Sequence, residues 1–505
     1  MSPSAIIKLV NSLSASEKRY FRLQSKMQGG DKEYLLLFSL IDENKDADLT
    51  RLKQEFRNQS PAGSWDNTCI YLGRMLTDAL VRAKKDKDLF FDLLHEIQEA
   101  KILKERSLDE EAYKLIKKVQ KKASRYQMHW IEYYCHRYEL NHLSDNNFSG
   151  VTDDQLIKGQ MKGKDVLKSL NHIHDHYSLY ELLKYRLIHS GKVVSEEGKK
   201  KMNDLMLSEM VLIAGKSKSF TSQKLHLLFQ SFFFTDIGDY RAALKSFYQL
   251  NELLEKNEDF LDNPPQDYLS ALQGIIESLR ALGNQSEVGY YLEKVRLLDQ
   301  NIYPEYFRYL VKKTFHTQHI ITLLDNKEYE ESKNAIENIP LDVFSSYYMV
   351  DEEKQSELYF YCSIVYFKLG ELKKSHLFIR DIMQQLKLPS QLLVSKAIRL
   401  LNLIIYFEKG ESLHLEYEIR AYKRYFIQLK FLRTEKMIFK LLGSSTRTRR
   451  VLTTQQLKKF NEELEVIKKD PYEKQLLRYY NFAEWAVHLI QGGTKKTSDL
   501  KSTPL

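Results

Sequence analysis

Residues that interrupt helices or cross-link chains are scarce in this sequence. Its 505 residues include only 19 glycines, 9 prolines and 3 cysteines. A fold rich in strands would need many more turn residues over this length. Cys69, Cys135 and Cys362 lie far apart and form no CxxC pair. Their spacing excludes a disulfide framework and a zinc knuckle, and it fits a reducing compartment.

Long apolar runs are also missing. The most apolar segments, residues 225–237 and 400–407, are shorter than the ~18 residues that a membrane-spanning helix needs. Lys8 interrupts the short apolar stretch at the start of the chain, so no signal peptide is predicted. We therefore expect a cytoplasmic protein without a membrane span.

The motifs of common enzymes and metal sites do not occur. The sequence has no Gly-x-Gly-x-x-Gly, His-Glu-x-x-His or Gly-x-Ser-x-Gly motif. His172, His174 and His176 alternate along the chain, but in a helix only His172 and His176 share a face, which is too few ligands for zinc. We expect a protein that is not an enzyme and that holds no cofactor and no metal.

The sequence does contain a helical pattern along almost its whole length. Hydrophobic residues make up 43% of the chain and recur at spacings of three and four, which predicts amphipathic helices. From about residue 221, turn-like positions occur at 238, 283, 327, 370 and 410, in steps of 40–45 residues. Such steps indicate stacked two-helix hairpins, because a lone hairpin cannot bury its apolar face.

Two of these hairpins resemble the tetratricopeptide repeat family. Residues 238–247 read Gly-Asp-Tyr-x-x-Ala-Leu-x-x-Phe, which is similar to the second helix of that repeat. The first-helix pattern of aromatic, small, aromatic and turn glycine is matched by Tyr359, Ser363, Tyr366 and Gly370. The resemblance covers about residues 221–430. It implies an all-α, right-handed superhelix of stacked hairpins with a concave groove that binds a peptide.

The pattern divides the chain into five predicted segments. They are an irregular helical region (1–150), connecting helices (151–220), the repeats (221–442), a C-terminal helical pair (443–491) and a disordered tail (492–505). Residues 221–395 carry a net charge of −7 and residues 396–450 a net charge of +8. This separation indicates charge that faces a partner, or two modules that attract each other.

One candidate site lies on the first helix of the second hairpin. Its members are polar, whereas the equivalent positions of neighbouring hairpins are apolar, as at Leu228 and Phe360. A polar patch between apolar ones suits a peptide site. The predicted groove residues are Ser270, Gln273, Glu277 and Arg280. The alternative is that another helix of the same chain fills the groove.

A second candidate is a basic stripe near the N-terminal end. Six cationic side chains fall on one face of a predicted helix, and the opposite face is apolar. The stripe consists of Lys114, Lys117, Lys118, Lys121, Lys122 and Arg125. It would attract phosphates or an acidic partner, or it is only a solvated outer face.

Residues 33–86 offer a weaker indication of nucleic-acid binding. Three short helices with a break before the third are typical of a helix-turn-helix module, but Pro61 and Gly63 make the turn too long. A plain helical cap is the alternative. We therefore expect a scaffold that binds a protein or peptide partner in its groove. The alternative is a nucleic-acid-binding or peptide-sensing regulator that uses the basic face.

Overall fold

The architecture is all-α, as the sequence predicts. The computed structural model describes residues 1–26, 33–44, 48–85, 87–190, 196–213, 219–260, 264–300, 302–345, 352–386, 388–390, 392–443 and 454–490. Over these ranges the chain forms 25 α-helices and no strand. The predicted disordered tail, 492–505, lies outside the described residues. The chain divides into two compact units, Met1–Asn171 and His172–Leu505.

Unit 1 holds eight helices and the first half of a ninth. They are α1 (Pro3–Ser12), α2 (Ala15–Lys26), α3 (Glu33–Glu43), α4 (Leu49–Gln59), α5 (Trp65–Lys84), α6 (Leu89–Glu105), α7 (Asp109–Arg125), α8 (His129–Asp145) and α9 (Asp153–Ser190). Helices α1 to α5 share one hydrophobic core and α6 to α8 share a second. The boundary with unit 2 falls within α9.

Unit 2 begins within α9 and continues through sixteen further helices among the described residues. They are α10 (Glu196–Ile213), α11 (Phe220–Ile237), α12 (Tyr240–Lys256), α13 (Gln266–Ala281), α14 (Val288–Leu297), α15 (Glu305–Asp325), α16 (Tyr329–Glu337), α17 (Leu341–Ser345), α18 (Glu352–Lys368), α19 (Leu372–Gln385), α20 (Leu393–Glu408), α21 (Ser412–Tyr425), α22 (Arg433–Gly443), α23 (Thr454–Lys469), α24 (Pro471–Leu477) and α25 (Phe482–Ile490). One core extends from Tyr180 to Val311, and another extends from Ile320 to Ala486.

Five helical hairpins occupy the part of unit 2 in which the sequence predicts repeats. Hairpins 1 to 5 are α11–α12, α13–α14, α15–α16, α18–α19 and α20–α21, and the two helices of each pack against each other. All five predicted turn positions have a positive φ, between +63° and +81°. At each turn the N–H one residue further on donates to a carbonyl five residues back, for example Asp239 to Phe234 at 2.9 Å. This bond is typical of the Schellman motif that ends helices.

The same turn occurs in unit 1 without a glycine. Ser107, Gln127 and Asn147 have φ between +53° and +60° and connect α6, α7, α8 and α9. The N–H groups of Leu108, Met128 and Phe148 donate to carbonyls five residues back at 2.8–3.0 Å. Because α6, α7 and α8 have 17 residues each, the turns repeat every 20 residues.

None of the described helices is long and apolar enough to cross a membrane. Cys69, Cys135 and Cys362 are buried free thiols, and they pack as small apolar core residues. Burial raises the pKa of Cys69 to about 11 and that of Cys135 to about 12, so both stay protonated at neutral pH.

Candidate functional site

The predicted groove residues all lie on α13 and are all half-buried. Gln273 donates from Nε2 to Oε1 of Glu277 at 2.8 Å. Arg280, whose side chain is only 10% exposed, donates from Nε to Oδ2 of Asp325 at 2.7 Å. Ser270 makes no hydrogen bond among the described residues. The polar patch is therefore partly satisfied by its own neighbours.

Residues 471–490, which comprise α24 and α25 and are called the C-terminal segment below, lie against this patch. Arg478 donates from Nη2 to the carbonyl oxygen of Glu277 at 3.2 Å. Its guanidinium lies 3.8 Å from the ring centroid of Tyr240, in a cation–π contact. Gln475 donates from Nε2 to the carbonyl oxygen of Asp236 at 2.7 Å, close to the turn glycine of hairpin 1. The segment thus contacts hairpins 1 and 2.

The rest of the C-terminal segment contacts later hairpins through aromatic rings. Tyr479 and Tyr480 pack edge-to-face on Phe360 and Phe367 of α18, with ring centroids 6.4 and 6.1 Å apart. Trp485 packs edge-to-face on Phe407 of α20 at 6.0 Å, and its Nε1 donates to the carboxylate of Glu408 at 3.0 Å. The segment therefore contacts the first helices of hairpins 1, 2, 4 and 5. The chain's own residues cover the surface on which the polar patch lies.

Glu473 fixes the beginning of the C-terminal segment to α22. Its two carboxylate oxygens accept from the backbone N–H groups of Arg433 and Thr434 at 2.6 and 3.1 Å, and from the Thr434 hydroxyl at 2.8 Å. Leu432, which precedes the helix, has no side-chain oxygen to accept these bonds. A carboxylate forty residues further along the chain therefore caps the N-terminus of α22.

Beside this cap, Glu435 anchors a second buried polar network. Lys396 is 2.9 Å from Glu435 in an ion pair whose side chains are 6% and 0% exposed. Tyr422 donates its hydroxyl to the same carboxylate at 2.7 Å, and Leu432 donates its N–H at 2.7 Å. Burial, together with the Glu435 charge, raises the pKa of Tyr422 well above its usual value. The Tyr422 hydroxyl therefore keeps the proton that it donates to Glu435, and the buried network is structural.

The basic stripe lies on α7, and its apolar opposite face is buried as predicted. Four of its six cations pair with carboxylates: Lys114 with Glu111 at 2.8 Å, Lys117 with Glu139 at 2.5 Å, Lys118 with Glu96 at 2.6 Å, and Lys122 with Asp92 at 2.8 Å and Glu96 at 3.1 Å. Three of the four carboxylate partners come from α6 and α8, and only Glu111 belongs to α7 itself. Neighbouring helices therefore neutralise most of the stripe, although the stripe itself contains no acid. Lys121 and Arg125 have no carboxylate partner among the described residues.

A cleft of about 940 Å³ opens beside the unpaired end of the stripe. Helices α7 and α8 and the first part of α9 line it, and all lining residues belong to unit 1. Lys158 and Lys162 of α9 face the same cleft as Lys121 and Arg125, and they too have no ion pair among the described residues. Sequence reasoning missed Lys158 and Lys162, although their spacing of four residues places them on one helix face.

The three histidines at 172–176 lie in α9, as predicted, and do not form a metal site. The rings of His172 and His176 are 4.8 Å apart, whereas His174 lies on another face. Burial, reinforced by the neighbouring His172 and His226, lowers the pKa of His176 to about 4. His226 in turn contacts the buried carboxylate of Glu209. Among the described residues, no group of three potential ligands is placed to hold a metal ion.

The helices of residues 33–86 are α3, α4 and α5. Helix α5 buries Trp65, Cys69, Leu72 and Leu76 against the core of α1 to α5. Five residues, Ser60 to Ser64, separate α4 from α5, more than the three or four of a helix-turn-helix. DNA contact by this region stays a prediction.

Neither a protein-family model nor a curated protein matches the chain.

Proposed function

We propose that the protein is a non-enzymatic, tetratricopeptide-like scaffold that binds a segment of a partner protein. The binding surface is the face of hairpins 1, 2, 4 and 5 on which the C-terminal segment lies, including Gln273, Glu277 and Arg280. Stacked hairpins of this kind form a right-handed superhelix with a concave side, and we assign the segment to that side.

The contacts that hold the C-terminal segment on the hairpins support this proposal most strongly. Arg478 and Gln475 donate to backbone carbonyls of α13 and α11, while Tyr479, Tyr480 and Trp485 supply aromatic anchors. Tyr, Trp and Arg are the residues that dominate binding energy at protein interfaces. The surface thus holds a short helical segment by the contacts that a peptide ligand would use, and a partner segment of similar aromatic and cationic character would compete with it.

The proposal is tested by converting the C-terminal segment into a separate chain. A site for a specific protease is introduced between Gly443 and Thr454, and the intact protein is purified and then cleaved. We expect the released piece to remain bound during size-exclusion chromatography. A fluorescent peptide spanning residues 454–490 should then exchange into the cleaved protein, with a rise in anisotropy, and should not bind the uncleaved protein.

A matched peptide with Arg478→Ala and Tyr479→Ala is the control. It loses a cation–π contact, a hydrogen bond and an aromatic anchor, so its affinity should fall by at least about tenfold. Circular dichroism of the cleaved protein shows whether the hairpins stay folded. If the piece never exchanges, or if cleavage alone unfolds the hairpins, the surface is a fixed core and the scaffold proposal fails.

The alternative role as a nucleic-acid-binding regulator has less support. Four of the six cations of the basic stripe are engaged by carboxylates, so the stripe does not present a continuous track for a phosphate backbone.

A further inference from the structure

Four cations that have no ion pair among the described residues line the cleft of unit 1. Lys121 and Arg125 lie one turn apart on α7, and Lys158 and Lys162 lie one turn apart on α9. All four side chains are exposed. Two pairs of cations on two different helices therefore border one cavity of about 940 Å³.

The carboxylates in the same cleft do not neutralise these four cations. Glu139 pairs with Lys117, and Glu132 is held by His129 at 3.4 Å. Asp165 pairs with Lys168 of its own helix at 3.1 Å. Five lysine and arginine side chains line the cleft against three carboxylates, so the net charge of the lining is positive and attracts an anion.

His136 adds a directed hydrogen-bond donor to the lining. Gln120 accepts from Lys117 at its Oε1 (3.3 Å), which turns its amide nitrogen towards Glu139 and His136. This nitrogen donates to Nδ1 of His136 at 3.1 Å. Burial lowers the pKa of His136, which favours a neutral ring, and a proton on Nε2 is the tautomer that lets Nδ1 accept from Gln120. His136 belongs to the lining of the cleft, and its Nε2 makes no hydrogen bond among the described residues.

Two properties indicate what kind of anion fits the cleft: its volume, and the small number of cations that have no carboxylate partner. Its volume is at the upper end of the range for small-molecule sites, about 300–1,000 Å³. A nucleic-acid strand would need cations that continue along α7, but Lys114, Lys118 and Lys122 are paired. The Arg125 fork and the lysine ammonium groups are suited to the oxygens of phosphate.

We propose that this cleft binds a small phosphate-bearing molecule of about nucleotide size, held by Lys121, Arg125, Lys158 and Lys162 with a donor from His136. The proposal is independent of the scaffold role, because every residue in it belongs to unit 1.

Isothermal titration of the full chain with ATP, ADP and inorganic pyrophosphate tests the proposal. We expect saturable binding with a Kd below about 1 mM for at least one of these probes. If ATP binds more tightly than pyrophosphate, the nucleoside contributes. Equal affinities show that the cleft recognises the phosphates alone. A single-stranded RNA oligonucleotide is the third arm, and RNA binding without any binding of the small probes overturns the proposal.

Two charge-matched variants localise the site. Lys121→Gln/Arg125→Gln removes two cleft cations and should weaken binding by at least about tenfold, because each lost charge-assisted hydrogen bond is worth about a factor of ten. Arg57→Gln/Lys101→Gln removes the same charge outside the cleft and the basic stripe and should leave the affinity within about twofold. No measurable binding by the unmodified chain, or equal loss in both variants, refutes the proposal. Unchanged melting temperatures establish that both variants are folded.

Discussion

The capping of α22 by Glu473 makes a specific prediction for Glu473→Ala. The carboxylate is buried and accepts three hydrogen bonds, two from backbone N–H groups at the start of the helix. Without it these N–H groups have no acceptor, because Leu432 supplies none. Hydrogen bonds to charged groups contribute about 1.5–3 kcal/mol each, but removing a buried charge also relieves a desolvation cost. We expect unit 2 to lose about 2–4 kcal/mol of stability.

Glu473→Gln separates the effect of charge from that of shape. The amide keeps the volume and one acceptor oxygen, but its NH₂ group meets N–H and O–H donors. We therefore expect a smaller loss, about 1–2 kcal/mol. Glu465→Ala on the neighbouring α23 is the control, since Glu465 is 60% exposed and pairs only with Lys468 at 3.7 Å. This substitution should cost less than about 0.5 kcal/mol.

Hydrogen exchange is the assay, because it reports local opening in a chain with two units. In the wild-type protein the amides of Arg433 and Thr434 should be protected, and protection should extend through residues 471–490. In Glu473→Ala both regions should exchange faster, while the helices of hairpins 1 and 2 change less. If Glu473→Ala leaves the exchange of both regions and the urea midpoint unchanged, Glu473 does not hold the C-terminal segment as we infer.

Two further predictions concern packing and pH. Gly274→Ala should lower the stability of the protein in thermal denaturation by about 1–3 kcal/mol, because the new Cβ would lie 2.1 Å from the buried ring of Phe247. The control is Gly289→Ala, where a helical glycine faces open space, and this substitution should raise the stability by about 0.5–1 kcal/mol. For His176, the folded-state pKa of about 4 lies below the usual value of 6.5, so the unfolded chain binds the proton first. Its contribution to stability is complete above pH 6.5 and is lost as the pH falls to 4, by at most about 3 kcal/mol. Urea midpoints of His176→Gln should therefore vary less over this range than those of the wild type, and an equal pH dependence would contradict the assignment.

The helical hairpins could be predicted because their determinants are local. Apolar spacing within about 18 residues sets each buried face, and the five turn positions were identified from the sequence alone. Lys327 adopts a φ of +63° although it is not a glycine. Its position as a turn could be predicted only from the regular spacing of the turns before and after it in the chain. The turns at Ser107, Gln127 and Asn147 carry no comparable marker. A left-handed φ on such residues follows from the packing of α6, α7 and α8, which a local pattern does not encode.

The candidate sites could be predicted less well because they combine distant residues. The basic stripe was identified correctly as a helix face, but its partners Glu96 and Glu139 lie on other helices. Lys158 and Lys162 join the cleft only because α9 passes beside α7. The contact of Gln475 with Asp236 spans 239 residues. Composition and periodicity cannot specify such pairings, so the role of the C-terminal segment stayed one of two open alternatives.

The placement of the C-terminal segment has a consequence for synthesis of the protein on the ribosome. Residues 471–490 are synthesised after hairpins 1, 2, 4 and 5, on which they lie. The contact surfaces of α11, α13, α18 and α20 therefore stay uncovered until translation reaches the C-terminal segment. The C-terminal segment and hairpins 1 and 2 are about 200 residues or more apart in the chain, but bringing them together is not prohibitive. The entropic cost of closing a loop rises by only about 0.6 kcal/mol for each doubling of the loop length. Until then, apolar rings such as Phe360 and Phe407 lack Tyr479 and Trp485. Nascent chains at this stage are the ones that chaperones would be expected to engage.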